Sequence, residues 1–324
     1  MMTTINTPLR FKPVYQPYIW GGDKLRSHFG RTDTPEGIVA ESWEISARED
    51  GMGVVDGGPF AGKTFKELLQ DHATDLLGEG KGDFFPLLIK VLDAAKTLSV
   101  QVHPNDRTAA EYGGEAKTEC WYILQADEGA CVYCGLKEGV TPEHFKDAIE
   151  QGGVEALLTE LPVTAGDMVF VPGGRMHAIA SGCLLLEVQQ NSNTTYRVYD
   201  WGRVGADGQP RELHIDQALQ VTNWDEPPAK LTPAQPLPDL AGMAREKLVE
   251  SPYFFLESVT CEEKATLPAH LKGFQVLFVK EGSLSVSANG ETVDVPEGSS
   301  VFLPAACGEV LLIGNATFVR VTEP

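Results

Sequence analysis

Residues 166–177 read GDMVFVPGGRMH: four apolar residues, Met168 to Val171, then Pro172, Gly173 and Gly174, then a histidine at 177. A run this short, bounded by glycine before and Pro-Gly-Gly after, has the length and punctuation of a buried strand that ends in a sharp turn. His177 therefore follows a turn directly after a strand. The same texture extends outward in both directions. ESWEISA (41–47), FPLLIKVLDA (85–94), LSVQVH (98–103), CWYILQA (120–126), ACVYCGL (130–136), CLLLEVQQ (183–190) and TTYRVYD (194–200) are all short and rich in branched or aromatic residues. Thirty-three glycines and 21 prolines fall largely between such runs, so the sequence predicts a mainly β protein rather than a parallel sheet alternating with long helices.

Three stretches depart from that pattern. TFKELLQDHATDLLG (64–78), TPEHFKDAIEQGGVEALLTEL (141–161) and ELHIDQALQVTNW (212–224) have helical periodicity, and Thr141 before Pro142 is a suitable helix start. The second reads as a helical insertion between sheet elements. Proline density over 226–239 then marks a connector. Beyond it, SPYFFLESVTCE, FQVLFVKEG, SLSVSANG, ETVDVPEG, SVFLPAAC, EVLLIG and ATFVRVTE resume the alternation, with Asn289-Gly290 suited to a hairpin turn. GSSVFLPAACGEV (298–310) repeats the spacing Gly166-x5-Pro172 as Gly298-x5-Pro304, but Ala306 and Glu309 stand where the first copy has Gly174 and His177. A length of 324 residues admits one large domain or two. The connector and the half-kept repeat favour two: 1–225 with the helices, the connector 226–239, and a second β domain at 240–324 whose counterpart site is read as metal-free.

Lys and Arg total 26 against 46 Asp and Glu, a formal charge of -20. Binding a nucleic-acid backbone requires a basic surface that releases counterions, so nucleic acid is excluded as the expected partner; a small phosphorylated metabolite is not, because a local cluster of donors serves it whatever the net charge. No stretch approaches the roughly 20 apolar residues that span a bilayer. The N-terminus lacks a secretory pattern, and the expected location is the cytoplasm. The six cysteines, at 120, 131, 134, 183, 261 and 307, lie in strand-like text and are expected reduced and mostly buried. The lone CxxC, Cys131 to Cys134, lies within an alternating run rather than at a helix start, which favours packing over redox or metal chemistry.

The chemically dense text begins at LSVQVHPND (98–106). In an extended segment, side chains two apart share a face, so Gln101 and His103 point one way while Val100 and Val102 point the other. Glu119 opens the strand that follows, and His177 follows the turn already described. Two imidazoles, a carboxylate and an amide oxygen can hold a divalent cation with room for a further ligand. Spacing alone leaves the alternative open: a strand-end His103 before Pro104, a solvated Glu119 and a core His177 bonded to backbone. Lys117 shares the parity of Glu119 and so its face. Lys90, in LLIKV, reads equally as a ligand contact or as a buried lysine paired with Asp93 or Glu187. Trp20 with Gly21 and Gly22 reads as a structural turn, and Trp121, Tyr122, Tyr196 and Tyr199 as packing.

GDMVFVPGGRMH resembles the second motif of the cupin superfamily, with Gly166, Pro172, Gly174 and His177 in its spacing; Ser181 replaces the asparagine often found there. More narrowly, YIWGG (18–22), FPLLIKVLDA, LSVQVHPND, EAKTECWYI (115–123) and QQNSNTTYRVYDWGR (189–203) resemble type I mannose-6-phosphate isomerases of the short bacterial kind, strongly over the first 225 residues and loosely thereafter. The resemblance implies two cupin jelly-roll barrels, the second degenerate. It implies a zinc-dependent aldose-ketose isomerase that interconverts mannose 6-phosphate and fructose 6-phosphate by proton transfer through an enediol. One zinc ion per chain is implied, with Gln101, His103, Glu119 and His177 at the metal positions. The histidines and the glutamate are the firmest of these, and Gln101 is a direct or an indirect contributor. Arg197 falls on the active-site arginine, and Lys117, Lys90, Glu187 and Asp200 fall near the sugar. A metal-activated water, Glu187 and Asp200 all remain open as general base. The implied partner is a small sugar phosphate, with the protein a monomer or weak homodimer. A non-catalytic sugar- or metal-binding cupin, or an isomerase of another sugar phosphate, are the alternatives.

Overall fold

The computed structural model describes residues 4–204, 208–270 and 272–324, and antiparallel strands dominate it. Two compact units interleave along the chain. One comprises Tyr15–Glu41 and Val91–Thr232; the other comprises the described residues up to Val14, with Ser42–Lys90 and Pro233–Pro324. This arrangement cuts across the chain-order division expected at 225 and 240. The reason is a non-local aromatic cluster in the second unit: Phe11 and Phe65 meet at a tilt of 42° with centroids 4.7 Å apart, Phe65 meets Phe302 at 5.3 Å, and Phe85 meets Phe274 at 5.0 Å. Early residues thus complete the core of the late strands, which buries large apolar areas that neither segment could bury alone.

In the Tyr15–Glu41/Val91–Thr232 unit, one sheet has the order Leu158–Pro162, Cys131–Leu136, His177–Ile179, Val100–Val102, Tyr196–Tyr199. Opposite it, Glu119–Ala126 pairs with Met168–Val171 on one side and Cys183–Gln190 on the other. Val132, Cys134 and Ile179 from the first sheet and Trp121, Ile123, Val169 and Leu185 from the second share one buried cluster, as in a jelly roll. Alternation sends Val100, Val102, Ala178 and Val198 to the outer face, where they meet Phe145 of helix Pro142–Gln151 and Ala218 and Val221 of helix Ile215–Val221. Their neighbours Gln101, His103, His177 and Arg197 are left for the interior side. Trp20 is buried in the inner cluster, in keeping with a structural turn.

Helix Pro142–Gln151 begins as expected, with Thr141 accepting the His144 N–H and proline in its first turn. It ends sooner than its periodicity suggests. Gly152 and Gly153 take φ of 84° and 107°, a short 3-10 turn follows, and Leu158–Pro162 becomes a strand paired with Cys131–Leu136. The proline-rich 226–239 is not a bare connector either. Ala229 is buried in the inner core, and Gln235–Leu240 forms an edge strand on Met243–Glu250, a place where proline's missing N–H leaves no central ladder bond unmade.

In the other unit the long strand Gln275–Ala288 pairs with Ala316–Thr322, Ser299–Leu303, Glu291–Pro296 and Val310–Ile313. Asn289 and Gly290 turn it into Glu291–Pro296 with φ of 51° and 90°, as the hairpin reading expects. The strand faces that carry Val259, Leu277 and Phe318 into the apolar core also carry Glu257, Gln275 and Arg320. Glu257 is fully buried and accepts from Arg320 at 2.6 Å and Arg245 at 2.9 Å, while Arg320 also donates to Gln275 at 2.7 Å. Both carboxylate oxygens and two guanidinium groups are thereby satisfied in a setting where an unpaired charge would be costly.

Candidate active site

The turn after Val171 ties three strands together. A Cβ on Gly173 would lie 2.7 Å from the Pro104 carbonyl oxygen and the Asn105 Cα, so only glycine permits that approach. Gly174, at φ 95°, donates its N–H to the His103 carbonyl at 2.7 Å. Register does the rest: Gln101 lies opposite both His177 and Arg197, and Glu119 lies opposite both Val171 and Gln189.

Three of the four expected metal residues converge. One ligand atom each from His103, Glu119 and His177 lies within 4.8 Å of the others, and each residue is 1% exposed. His103 Nδ1 lies 2.8 Å from the Thr194 carbonyl oxygen, and His177 Nδ1 lies 2.8 Å from that of Arg175. A carbonyl only accepts, so both Nδ1 atoms carry a proton, and in the neutral ring each Nε2 presents a lone pair. Those lone pairs face a carboxylate: His177 Nε2 is 3.4 Å from Glu119 Oε1, and His103 Nε2 is 3.7 Å from Glu119 Oε2. Acceptors facing acceptors in a buried site require a cation between them. Lys117 supplies one positive charge, 2.8 Å from Glu119 Oε2 and 3.3 Å from His103 Nε2. Burial pushes the His177 pKa down to about 4, with Lys117 adding to the fall and the Arg175 carbonyl bond opposing it, so the ring is neutral near pH 7. A donor set of two neutral imidazoles and a carboxylate fits a divalent ion of the zinc type.

Gln101 stands beside this triad with its amide nitrogen 3.4 Å from His177 Nε2, and its oxygen accepts from Ser99 Oγ at 3.2 Å. Ligation through that oxygen requires a half-turn of the terminal amide. Glu187 accepts the Trp121 indole N–H at 3.1 Å on one oxygen, and its other oxygen is 3.8 Å from Lys117 Nζ. Arg197 donates to Ser99 Oγ at 3.2 Å and to the Glu212 carbonyl at 2.9 Å. Arg197, Ser99, Gln101 and His177 therefore form one polar chain. Asp200 takes both oxygens into bonds with Arg203 and Arg211. Burial alone would raise its pKa, but the Arg211 and Arg203 bonds outweigh that and hold it below the usual carboxylate value. Lys90 belongs to the other unit, buried with its ammonium 5.0 Å from the Trp43 ring centroid.

Sequence reading missed Ser99, Thr194, Arg175, Arg203 and Arg211. Ser99 was within reach, since the period-2 rule that pairs Gln101 with His103 places Ser99 on the same face. Thr194 and Arg175 act through backbone carbonyls, which no side-chain pattern encodes.

Comparison with known proteins bears on this geometry. Residues 9–134 match the model described as "Phosphomannose isomerase type I, catalytic domain", and residues 244–323 match "Mannose-6-phosphate isomerase, cupin domain". The mannose-6-phosphate isomerase ManA of Bacillus subtilis is 38% identical over 97% of this chain and 98% of its own length. The chain belongs to the type I mannose-6-phosphate isomerase family. A mannose-6-phosphate isomerase of Streptococcus mutans is 45% identical over 76% of this chain and 77% of its own. The crystal structure of the Bacillus subtilis mannose 6-phosphate isomerase superposes with a TM-score of 0.89 at 34% identity, covering 98% of this chain and 99% of that one. Within the family match, Gln101, His103, Lys117 and Glu119 fall inside the catalytic-domain stretch, whereas His177 and Arg197 lie beyond it. Among the described residues no helix is long and apolar enough to cross a membrane.

Proposed function

We propose that this protein interconverts D-mannose 6-phosphate and D-fructose 6-phosphate with one zinc ion held by His103, Glu119 and His177, and with Gln101 completing the set. The observation that carries the proposal is the pair of imidazoles whose Nδ1–H groups are tied to carbonyls and whose Nε2 lone pairs converge on Glu119, in a chain of this family. The reaction removes a proton from C2 of the aldose, returns one to C1, and passes through an enediol whose oxygens carry developing negative charge. When bound, zinc supplies positive charge that polarises the sugar's carbonyl oxygen and stabilises that developing charge.

The chain's own residues do the remaining work. Lys117, between Glu119 and Glu187, presents donors to the sugar oxygens. Glu187, oriented by the Trp121 indole, offers its other carboxylate oxygen as a proton acceptor. Asp200, held ionised by two arginines, is a weak base and is better suited to holding them. Arg197 fixes the substrate opposite Gln101 with a planar cationic fork. All six cysteines are free thiols, which supports a reducing, cytoplasmic setting.

Metal removal tests the proposal. Dialysis against a strong chelator is expected to abolish isomerisation, and one equivalent of zinc per chain to restore it, as followed by metal analysis alongside rate. Full activity in a chain stripped of divalent metal contradicts the proposal.

A further inference from the structure

We propose that Arg211 is a ligand of the substrate's phosphate group, acting beside Arg197, and that Asp200 is a positioning residue that locks Arg211 for this task rather than a sugar contact. The inference rests on the functional reading above and deepens it.

The Asp200 carboxylate is buried and works as a double anchor. Arg211 binds it in bidentate fashion, Nε to Oδ2 at 2.7 Å and one terminal nitrogen to Oδ1 at 2.6 Å. Arg203 binds Oδ1 at 2.5 Å and spends its other nitrogens on the Thr97 carbonyl at 2.6 Å and the Asp200 carbonyl at 3.3 Å. Arg203 is thereby consumed by the scaffold. Arg211 is not, because its second terminal nitrogen makes no bond to any described residue and its side chain is 24% exposed. Arg197 likewise uses Nε and one terminal nitrogen, on Ser99 and the Glu212 carbonyl, and among the described residues its other terminal nitrogen makes no bond.

Two guanidinium groups, Arg203 and Arg211, thus bind a single buried carboxylate, and the Arg197 guanidinium lies within the field of all three, in a chain whose net charge is -20. Among the described residues, the second carboxylate that acts on Arg197 is Glu212, whose side chain is 83% exposed. Burial first, then Arg211 and Arg203, hold Arg197 below the usual guanidinium value, Asp200 and Glu212 opposing. Like charges held together in this way are relieved by a dianion, and two planar forks match phosphate oxygens better than an ammonium would. The backbone fixes the pair in place: His214 N–H donates to the Arg197 carbonyl at 2.7 Å, and Arg197 N–H donates to His214 Nδ1 at 3.3 Å, so the 211–214 segment lies alongside the strand carrying Arg197. From Arg197 the polar chain through Ser99 and Gln101 reaches His177, which connects the arginine pair to the metal residues.

The test uses zinc-loaded full-length protein and two readouts. Calorimetry with inorganic phosphate measures the subsite alone, and the ratio of kcat/KM for mannose 6-phosphate to that for mannose measures it during turnover. Arg211→Gln is expected to weaken phosphate binding and lower the ratio by about 10- to 100-fold, the worth of a charge-assisted pair. Arg211→Lys, which keeps the charge and loses the fork, should fall between, and secures the test if Arg211→Gln does not fold. Asp200→Asn should raise KM for mannose 6-phosphate more than it lowers kcat, at unaltered zinc content. Phosphate affinity within twofold of wild type in Arg211→Gln, equal losses on both sugars, or no phosphate binding by wild type would overturn the assignment. A wild type that binds phosphate with Arg211 dependence but does not isomerise mannose 6-phosphate would instead defeat the functional reading and leave the anion subsite standing.

Discussion

His177→Ala is expected to yield a folded protein that no longer retains one zinc per chain and turns over mannose 6-phosphate roughly a thousandfold more slowly, a loss of several kcal/mol of transition-state stabilisation. The argument is geometric. His177 enters the site from a three-residue strand whose register with Gln101 is set by the Gly173-Gly174 turn, and its Nδ1–H is committed to the Arg175 carbonyl. Its only chemical offer to the interior is the Nε2 lone pair facing Glu119. Removing it leaves His103, Glu119 and Gln101 without the second imidazole and leaves the Arg175 carbonyl without that bond. His177→Gln, which keeps polar bulk, separates loss of a ligand from loss of packing and should fail in zinc retention as well. Normal metal content together with a normal rate in His177→Ala would place the metal elsewhere.

Arg197→Ala is expected to act differently: zinc content unchanged, kcat/KM for mannose 6-phosphate lower by about 10²- to 10³-fold, the cost of removing a charge-assisted fork from the substrate's phosphate. The guanidinium is partly buried, opposite Gln101, and tied to Ser99, so it is held without reorganisation at the moment of reaction. Arg197→Lys should recover only part of the loss, since an ammonium's three donors sit on one nitrogen and do not spread to Ser99, the Glu212 carbonyl and the substrate as the separate nitrogens of a planar fork do. Steady-state kinetics beside metal analysis separates the two variants, because His177→Ala loses metal and rate together and Arg197→Ala loses rate alone. A kcat/KM within tenfold of wild type in Arg197→Ala would remove Arg197 from the substrate site.

The strands were legible wherever local alternation decides burial. LSVQVH sends Val100 and Val102 outward and Gln101 and His103 inward, and Lys117 lies against Glu119 as their shared parity expects. What local pattern does not encode came out differently. LTEL continues a helical periodicity, yet two glycines with positive φ stop the helix and a partner strand captures the residues that follow. QPLPDL reads as a linker because proline breaks ladders, but an edge strand needs its N–H groups on one side only. The interleaving of the two units depends on Phe11, Phe65 and Phe85 meeting Phe274 and Phe302 across long sequence separations. The Arg203-Asp200-Arg211 clasp is hidden for a related reason: its members look like ordinary surface charges until the fold places both guanidinium groups on one carboxylate.

Proton NMR of mannose 6-phosphate in deuterated water with the zinc-loaded protein tests the central claim most directly, because one spectrum reports both product and mechanism. The expected result is fructose 6-phosphate that accumulates deuterium at C1 as the reaction approaches equilibrium, with none formed by chelator-treated protein. No fructose 6-phosphate from a chain shown to carry one zinc, or product without solvent deuterium after many turnovers, would contradict the account.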